Sequence, residues 1–357
     1  MKVIHIISKL DPGGIERWLI DISHEDTENE HVIIACSGEK GKWYSKFNGD
    51  VITDITLKSG VIKFQKKLNE FIEYNNVSIV HSHLYRFSAF VRLALLFSKV
   101  KFIAHSHNDK RFIKGHYDLR KRTKDNFYSL FSKCVFRVFK TNKVAASVDA
   151  AQDLFGSSNT NKVKIIHCGI DLNKFNYQLE SSDVGNASFK TFITIGSLTE
   201  QKNHLFLLDL FSNVNAHLII VGEGKLRIKI EEQIKELNLS NRVTLLGNRD
   251  DIPYLLKSSD GFIFPSIFEG LGLAFIEAQA AGLNCIISDK IPREADIVHE
   301  NILRLPLDNI KVWIEALGSS EGKLGKVESY NRCSESTFNI ERSSKLLSDF
   351  YISIMKA

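Results

Sequence analysis

The sequence predicts an α/β protein built from two doubly wound parallel-sheet domains, and three observations carry that expectation. Short, mostly apolar runs such as Lys2–Ile7 and Gly261–Phe264 lead straight into glycine-containing turns and then helices, as parallel strands buried on both faces do. The 357 residues are enough for two such domains, each with its own core. The pattern breaks once, at Asn176–Lys190, where Ser, Asn and Asp dominate and a linker is expected. The expected domains are therefore 1–175 and 191–338, joined by a linker at 176–190, with an amphipathic segment at 339–357 crossing back onto the first domain.

Composition narrows the class. Hydrophobic residues at 43% and charged residues at 25% are ordinary for a soluble globular protein. Five scattered cysteines without a C-x-x-C pair argue for reduced thiols in the cytosol, against a disulfide frame or a zinc site. The apolar start at Val3–Ile7 is interrupted by Lys9 and Asp11, too early for a signal peptide, and no apolar run approaches the ~18 residues of a spanning helix.

In the first domain, strands are expected at Lys2–Ile7, His31–Ala35, Val51–Thr56, Ser78–His81, from Lys101, and at Lys143–Ser147 and Val163–Ile166. The first runs into a loop closing on Gly13-Gly14 and a helix with Ile15, Trp18, Leu19 and Ile22 at helical spacing. Such a glycine pair is either an ordinary tight turn or a place where backbone amides approach a phosphate or a sugar. A second helix is marked by Phe64, Leu68, Phe71 and Ile72. Two consecutive strands end in H-S-H, at 81–83 and 105–107. Four histidines there invite a metal reading, but His-x-His alone lacks the carboxylate or Cys partners of a convincing site, so no metal is expected. Strand C-termini are nevertheless where open parallel sheets bind ligands.

Between Lys101 and Lys143 twelve basic residues face only Asp109, Asp118 and Asp125, and Phe127, Leu130, Phe131, Cys134, Val135, Val138 and Phe139 form an apolar stripe at helical spacing. This helix either docks on its own domain or attaches to an anionic membrane surface. Nucleic acid is not expected, because no binding module accompanies the charge.

The second domain opens with a strand at Thr191–Ile195 and the turn G-S-L-T-E-Q-K-N-H. Strands follow at His217–Val221, which runs into G-E-G-K-L, at Arg242–Leu246, Gly261–Phe264 and Asn284–Ser288, with a helix at Leu226–Leu237. The stretch Ser258–Leu283 organises the rest. Pro265 and Ser266 stop its strand, and Gly270 and Gly272 leave backbone N–H groups uncovered where the helix Leu273–Ala281 begins, so an anion or a sugar hydroxyl can approach. Glu269 stands at that helix entrance, and Glu277, eight positions on, about a turn inside it.

The pair Glu269 and Glu277 with F-E-G-L-G-L between them, followed by A-Q-A-A-G-L-N-C-I-I-S-D, resembles the E-x7-E signature of retaining glycosyltransferases of family 4. The resemblance spans almost the whole chain and is strongest from Gly196 to Asp296. It implies the GT-B fold, two Rossmann-like doubly wound parallel-sheet domains facing across a cleft. It also implies roles. Gly13, Gly14 and Glu16 match a G-G-x-E stretch that closes over the donor, and His107 matches a histidine contacting the donor sugar and phosphate. Lys202 matches the lysine of a G-R-L-x-x-x-K turn that clamps the diphosphate, with Ser197 in place of its Arg. Asn248 stands where the nucleobase is read, and Gly270, Leu271, Gly272 and Leu273 line the donor. Glu269 would orient the sugar and Glu277 bind the ribose. His83 and His105 are placed near the cleft for the acceptor.

The expected reaction moves a sugar from a nucleotide donor, a uridine diphosphate sugar by resemblance, to a hydroxyl of a glycan or lipid-linked acceptor in bacterial surface polysaccharide synthesis, with retention. With no D-x-D in the chain, no metal bridge is expected, and no protein nucleophile is assigned. Ser197 cannot supply the bidentate contact of an Arg, so Arg17, Arg227 or Arg249 compensates or donor affinity is lower. Two alternatives stay open, a nucleotide-sugar epimerase on the same fold and a catalytically weak nucleotide-sugar-binding subunit.

Overall fold

The computed structural model describes residues 1–107, 119–176, 189–319 and 323–357, without the side chains of 119–124, 158, 159 and 319. Most of the expected linker at 176–190 and the basic residues from Lys110 to Lys124 fall outside the described residues or side chains. The chain forms two compact units, Met1–Ile170 with Ile340–Ala357, and Asp171–Asn339.

The first unit carries strands β1 (Lys2–Ile7), β2 (Glu30–Ala35), β3 (Val51–Ile52), β4 (Ile79–Ser82), β5 (Lys101–Ser106), β6 (Asn142–Ala145) and β7 (Lys164–Ile165). All pair in parallel, in the order β3-β2-β1-β4-β5-β6-β7. Helices α1 (Gly14–Glu25), α2 (Val61–Tyr74), α3 (Ser88–Ala94), α4 (Leu119–Val138) and α5 (Val148–Phe155) connect them. A parallel sheet covered on both faces demands strands without polar alternation, and Val3, Ile4, Ile6 and Ile7 of β1 are all buried. Ser147 caps α5 by accepting the Ala150 N–H at 3.1 Å. The strand expected over Val51–Thr56 is confined to Val51–Ile52, because Thr56 instead accepts the Lys58 N–H and caps a short turn.

The second unit repeats the plan with β8 (Thr191–Ile195), β9 (His217–Val221), β10 (Val243–Gly247), β11 (Gly261–Phe264), β12 (Asn284–Ser288) and β13 (Ile302–Leu305), all parallel, in the order β10-β9-β8-β11-β12-β13. Its helices are α6 (His204–Ser212), α7 (Arg227–Glu236), α8 (Ile252–Lys257), α9 (Leu273–Ala280), α10 (Ile310–Ser319) and α11 (Lys326–Ser334). The order reverses between β1 and β4 in one sheet and between β8 and β11 in the other, and at such switch points the flanking loops part and leave a crevice at the strand C-termini.

The last helix, α12 (Ile340–Lys356), belongs to the first unit. Its buried face holds Leu347, Tyr351 and Ile354, and Ser343 Oγ accepts the indole N–H of Trp18 at 3.3 Å. On α4, Val135 and Phe136 enter the core with Phe131 packed against it, whereas Phe127, Leu130, Cys134 and Val138 are exposed. The expected single stripe is thus divided between two faces.

Candidate active site

At the switch point of the second unit, the turn after β8 and the loop after β11 are stitched together. Ile267 N–H donates to the Gln201 carbonyl at 2.8 Å, and the Gln201 side chain donates to the Phe268 carbonyl at 3.0 Å. That stitching brings Lys202 and Glu269 face to face, Nζ donating to Oε1 at 2.6 Å, with side chains only 16% and 7% exposed. Lys202 Nζ also lies 4.7 Å from the centre of the Phe264 ring. An ammonium has three N–H donors, so Glu269 leaves the others for an anion. The turn reverses at Asn203, whose φ of 56° is left-handed, a conformation Asn adopts more readily than other side chains.

Next along the loop, Gly272 starts α9 with φ 84°, and no side chain caps its first turn, where the Phe275 N–H is taken by the Gly272 carbonyl at 2.9 Å. Gly270, Leu271 and Gly272 are buried, Leu273 half-buried, and Glu277 is half-buried one turn into α9. On the other side of β8, Gly222 has φ 137°, and a Cβ there would meet the Gly196 carbonyl oxygen at 2.0 Å, so no larger residue fits between these two turns. Ser197 and Asn248 are both exposed. The cations considered as replacements for a missing guanidinium each hold a carboxylate already. Arg249 pairs with Asp251 at 2.6 Å, Arg227 with Glu223 and with Glu231 at 2.8 Å, and Arg17, in the first unit, with Asp21 at 3.1 Å.

At the switch point of the first unit, Gly13 and Gly14 open α1, and the Glu16 carboxylate folds back to where a Gly13 Cβ would stand. Burial raises the Glu16 carboxyl above the usual range. His83 and His107 are each 7% exposed, and His105 is fully buried. They belong to a continuous chain of imidazoles, Asp26–His31–His5–His83–His107–Cys168, with successive separations of 3.1, 2.9, 3.0, 2.8 and 3.4 Å. Beside it, Tyr351 OH meets His81 at 2.8 Å, and His81 meets His105 at 3.0 Å. Burial, reinforced by the neighbouring rings, pushes His5, His81, His83 and His105 well below the ordinary histidine value, and burial takes His107 down to about 3. Burial works against ionisation of Asp26, but hydrogen bonds from His31 and Asn29 outweigh it and hold the carboxyl below its usual range. Both His107 nitrogens are engaged, so the donor contact expected of it needs one of these bonds to open. The side chain of His105 offers no exposed atom for the acceptor role expected of it.

Residues 180–317 match the model for glycosyl transferases group 1, and residues 12–174 that for glycosyltransferase family 4. The putative glycosyltransferase EpsF of Bacillus subtilis is 32% identical over 348 residues, covering 88% of this chain and 86% of its own. The chain belongs to glycosyltransferase family 4. The capsular polysaccharide biosynthesis glycosyltransferase CapH of Staphylococcus aureus is 27% identical, covering 83% of each chain. Anabaena HepE, solved with UDP and glucose, superposes with a TM-score of 0.79 at 16% identity over 99% of this chain and 100% of its own. The lipopolysaccharide glycosyltransferase WaaG gives 0.73 at 14% identity over 98% and 99%. The fold is GT-B, and the protein is a hexosyltransferase-type enzyme.

Two residues of this family 4 enzyme carry more than their sequence context suggested. Gln201 fixes the backbone under Glu269, and the fully buried Gln279 donates to the Ala295 carbonyl at 2.8 Å and accepts the Ile297 and Val298 N–H groups at 2.8 and 3.0 Å, pinning the P-R-E-A-D turn. A polar side chain inside the apolar run A-Q-A-A-G was the available signal. Were Lys202 to clamp a donor diphosphate, Lys202→Ala would weaken uridine diphosphate binding about 10- to 100-fold by calorimetry, the size of a charge-assisted hydrogen bond. An unchanged dissociation constant counts against the clamp.

Proposed function

We propose that the enzyme transfers a sugar from a uridine diphosphate sugar to a hydroxyl of a lipid-linked glycan, with retention of configuration and without a metal in the donor site. The observation that carries this reading is the Lys202–Glu269 pair at 2.6 Å beside the uncapped start of α9. A diphosphate leaving group gathers charge as the glycosidic bond breaks, and an ammonium with free donors next to a helix N-terminus is preorganised to receive it. Glu269 would hold the sugar hydroxyls and Glu277 the ribose, while the leaving phosphate oxygen takes the acceptor proton. The crevice at β1 and β4, opened by Gly13-Gly14, would serve the acceptor.

The lipid-linked acceptor draws support from two relatives. One is the Escherichia coli UDP-Gal:alpha-D-GlcNAc-diphosphoundecaprenol alpha-1,3-galactosyltransferase, 31% identical over 54% of this chain and 55% of its own. The other is a Campylobacter jejuni N-acetylgalactosaminyltransferase acting on a diphospho-undecaprenol glycan, 30% identical over 46% and 47%. Among the described residues no helix is long and apolar enough to cross a membrane. Exposed Phe127, Leu130 and Val138 on α4, with Arg137 and Lys140 beside them, suit peripheral docking on anionic lipid instead.

The test is an incubation with each nucleotide sugar, with and without a diphosphopolyprenyl glycan, followed by NMR of the product anomer. Nucleotide release that depends on the acceptor, with an α-linked product from an α-linked donor, is expected. Conversion of donor alone would identify an epimerase, and binding without turnover a binding subunit.

A further inference from the structure

We propose that the first unit contains a transition-metal site formed by His83, His105 and His107, with Zn2+ as the fitting ion. One ring nitrogen from each lies within 4.8 Å of the other two, and all three residues are buried. His105 and His107 are two apart at the end of β5, and His83 follows the adjacent β4, so strand alternation puts all three rings on one face of the sheet.

The outer nitrogens identify the inner ones. His83 Nε2 faces His5, His105 Nδ1 faces His81, and His107 Nδ1 faces the Cys168 sulfur. That leaves His83 Nδ1 and His107 Nε2, 2.8 Å apart, and His105 Nε2, which is buried and has no hydrogen-bond partner. Without an ion, the first two share one proton and the third is stranded. With an ion, all three give it a lone pair, and each outer nitrogen carries the proton.

Every outer N–H then has an acceptor waiting. His83 donates to His5, His5 to His31, and His31 to the Asp26 carboxylate, which Asn29 also holds at 2.8 Å. His105 donates to His81 and His81 to the Tyr351 oxygen, while His107 donates to Cys168. Ligand imidazoles backed by a carboxylate, a hydroxyl or a sulfur are the outer shell that orients metal-binding histidines and raises their basicity. Three imidazoles are borderline ligands in a set suited to Zn2+, with a fourth tetrahedral position left for solvent. Asp109, two positions after His107, lies outside the described residues, and the fold brings Asp26 to the rings through two further histidines. The ion would tie together the loops leaving β4 and β5. Lys202 and Glu269 are not among its ligands, so the reading of that pair stands or falls separately, whereas an ion on His107 Nε2 would exclude the donor contact expected of that ring.

The test uses the full chain, purified without a histidine tag, stripped with a chelator and titrated with Zn2+ against a chromophoric competitor. One equivalent bound at submicromolar concentration is expected, and Co2+ should give the intense visible bands of a tetrahedral ion. His105→Gln should lose that equivalent. Asp26→Asn, removed from the ligand His83 by His31 and His5, should keep that equivalent. Absence of uptake, or an equivalent that His105→Gln leaves unchanged, overturns the proposal. If His105→Gln does not fold, the Co2+ spectrum of the unaltered chain decides, and a weak octahedral spectrum overturns it.

Discussion

Glu269→Gln is expected to lower kcat/KM for the nucleotide sugar by about a hundredfold or more while leaving the protein folded. The carboxylate is 7% exposed, and its two oxygens are presented from a loop that Gln201 holds at two points. An amide preserves that shape and still offers Lys202 a carbonyl oxygen, giving up only the long 3.4 Å hydrogen bond that Glu269 Oε2 accepts from Gln201, so the fold should persist. What it loses is the charge, and one of two acceptors for sugar hydroxyls becomes a donor. On the proposed reading a misoriented ring costs reactivity more than affinity, because Lys202 and the amides at the start of α9 would still hold the diphosphate. The loss should therefore fall on kcat, with the uridine diphosphate dissociation constant within a few fold of the unaltered enzyme. Lys202→Ala has the opposite signature and acts on nucleotide binding first. Steady-state kinetics with calorimetry on the same preparations separates the two, and near-normal turnover in Glu269→Gln would mean that this carboxylate does not touch the sugar.

The parts of this site that were legible in the sequence are those encoded locally. Gly261–Phe264 shows its strand in four buried apolar residues, and Gly270 and Gly272 mark the turn into α9. The expected strands at Lys2–Ile7, Thr191–Ile195, His217–Val221 and Asn284–Ser288 are also found with those bounds, because parallel central strands are uninterrupted apolar runs. What was not legible is pairing across distance. Lys202 and Glu269 are 67 positions apart, and their 2.6 Å contact depends on β8 and β11 being neighbours, which no local pattern states. The imidazole chain is the stronger case. Its members come from β1, β2, β4 and β5, and Tyr351 joins from α12, 270 positions from His81. A signal existed, since His5, His81 with His83, and His105 with His107 recur where three apolar strands should be wholly buried. Read as strand ends alone, they suggested ligand contacts rather than a polar core. On α4 the failure was one of geometry, because a helix packed on one side and exposed on the other can be apolar on both.

That core makes a second large effect expected, a steep loss of stability in mild acid for the metal-free protein. His5, His81, His83, His105 and His107 all have folded-state values below 6.5, with burial as the leading cause. In the unfolded chain each takes a proton near pH 6.5, whereas in the folded chain it stays neutral. Above that pH both states are neutral and the histidines impose no pH dependence. As pH falls below 6.5 the unfolded state gains protons that the folded state refuses, so stability drops, and for His107 the drop continues to about pH 3. Each group contributes up to about 1.4 kcal/mol per pH unit where only the unfolded chain takes the proton, and all five act in the same direction, so the first unit should lose stability steeply over this range. Trp18 reports it directly, since its indole packs edge-on against His83, His105 and His107 with ring centres 6.1, 5.4 and 5.7 Å away. Urea melts followed by Trp fluorescence and near-ultraviolet circular dichroism should show midpoints falling steeply between pH 7 and 5.5. In His81→Leu, which removes one titrating ring from the set, the slope with pH should be shallower. A midpoint that is flat across this range would show that these imidazoles accept protons in the folded state, and that the buried chain is hydrated.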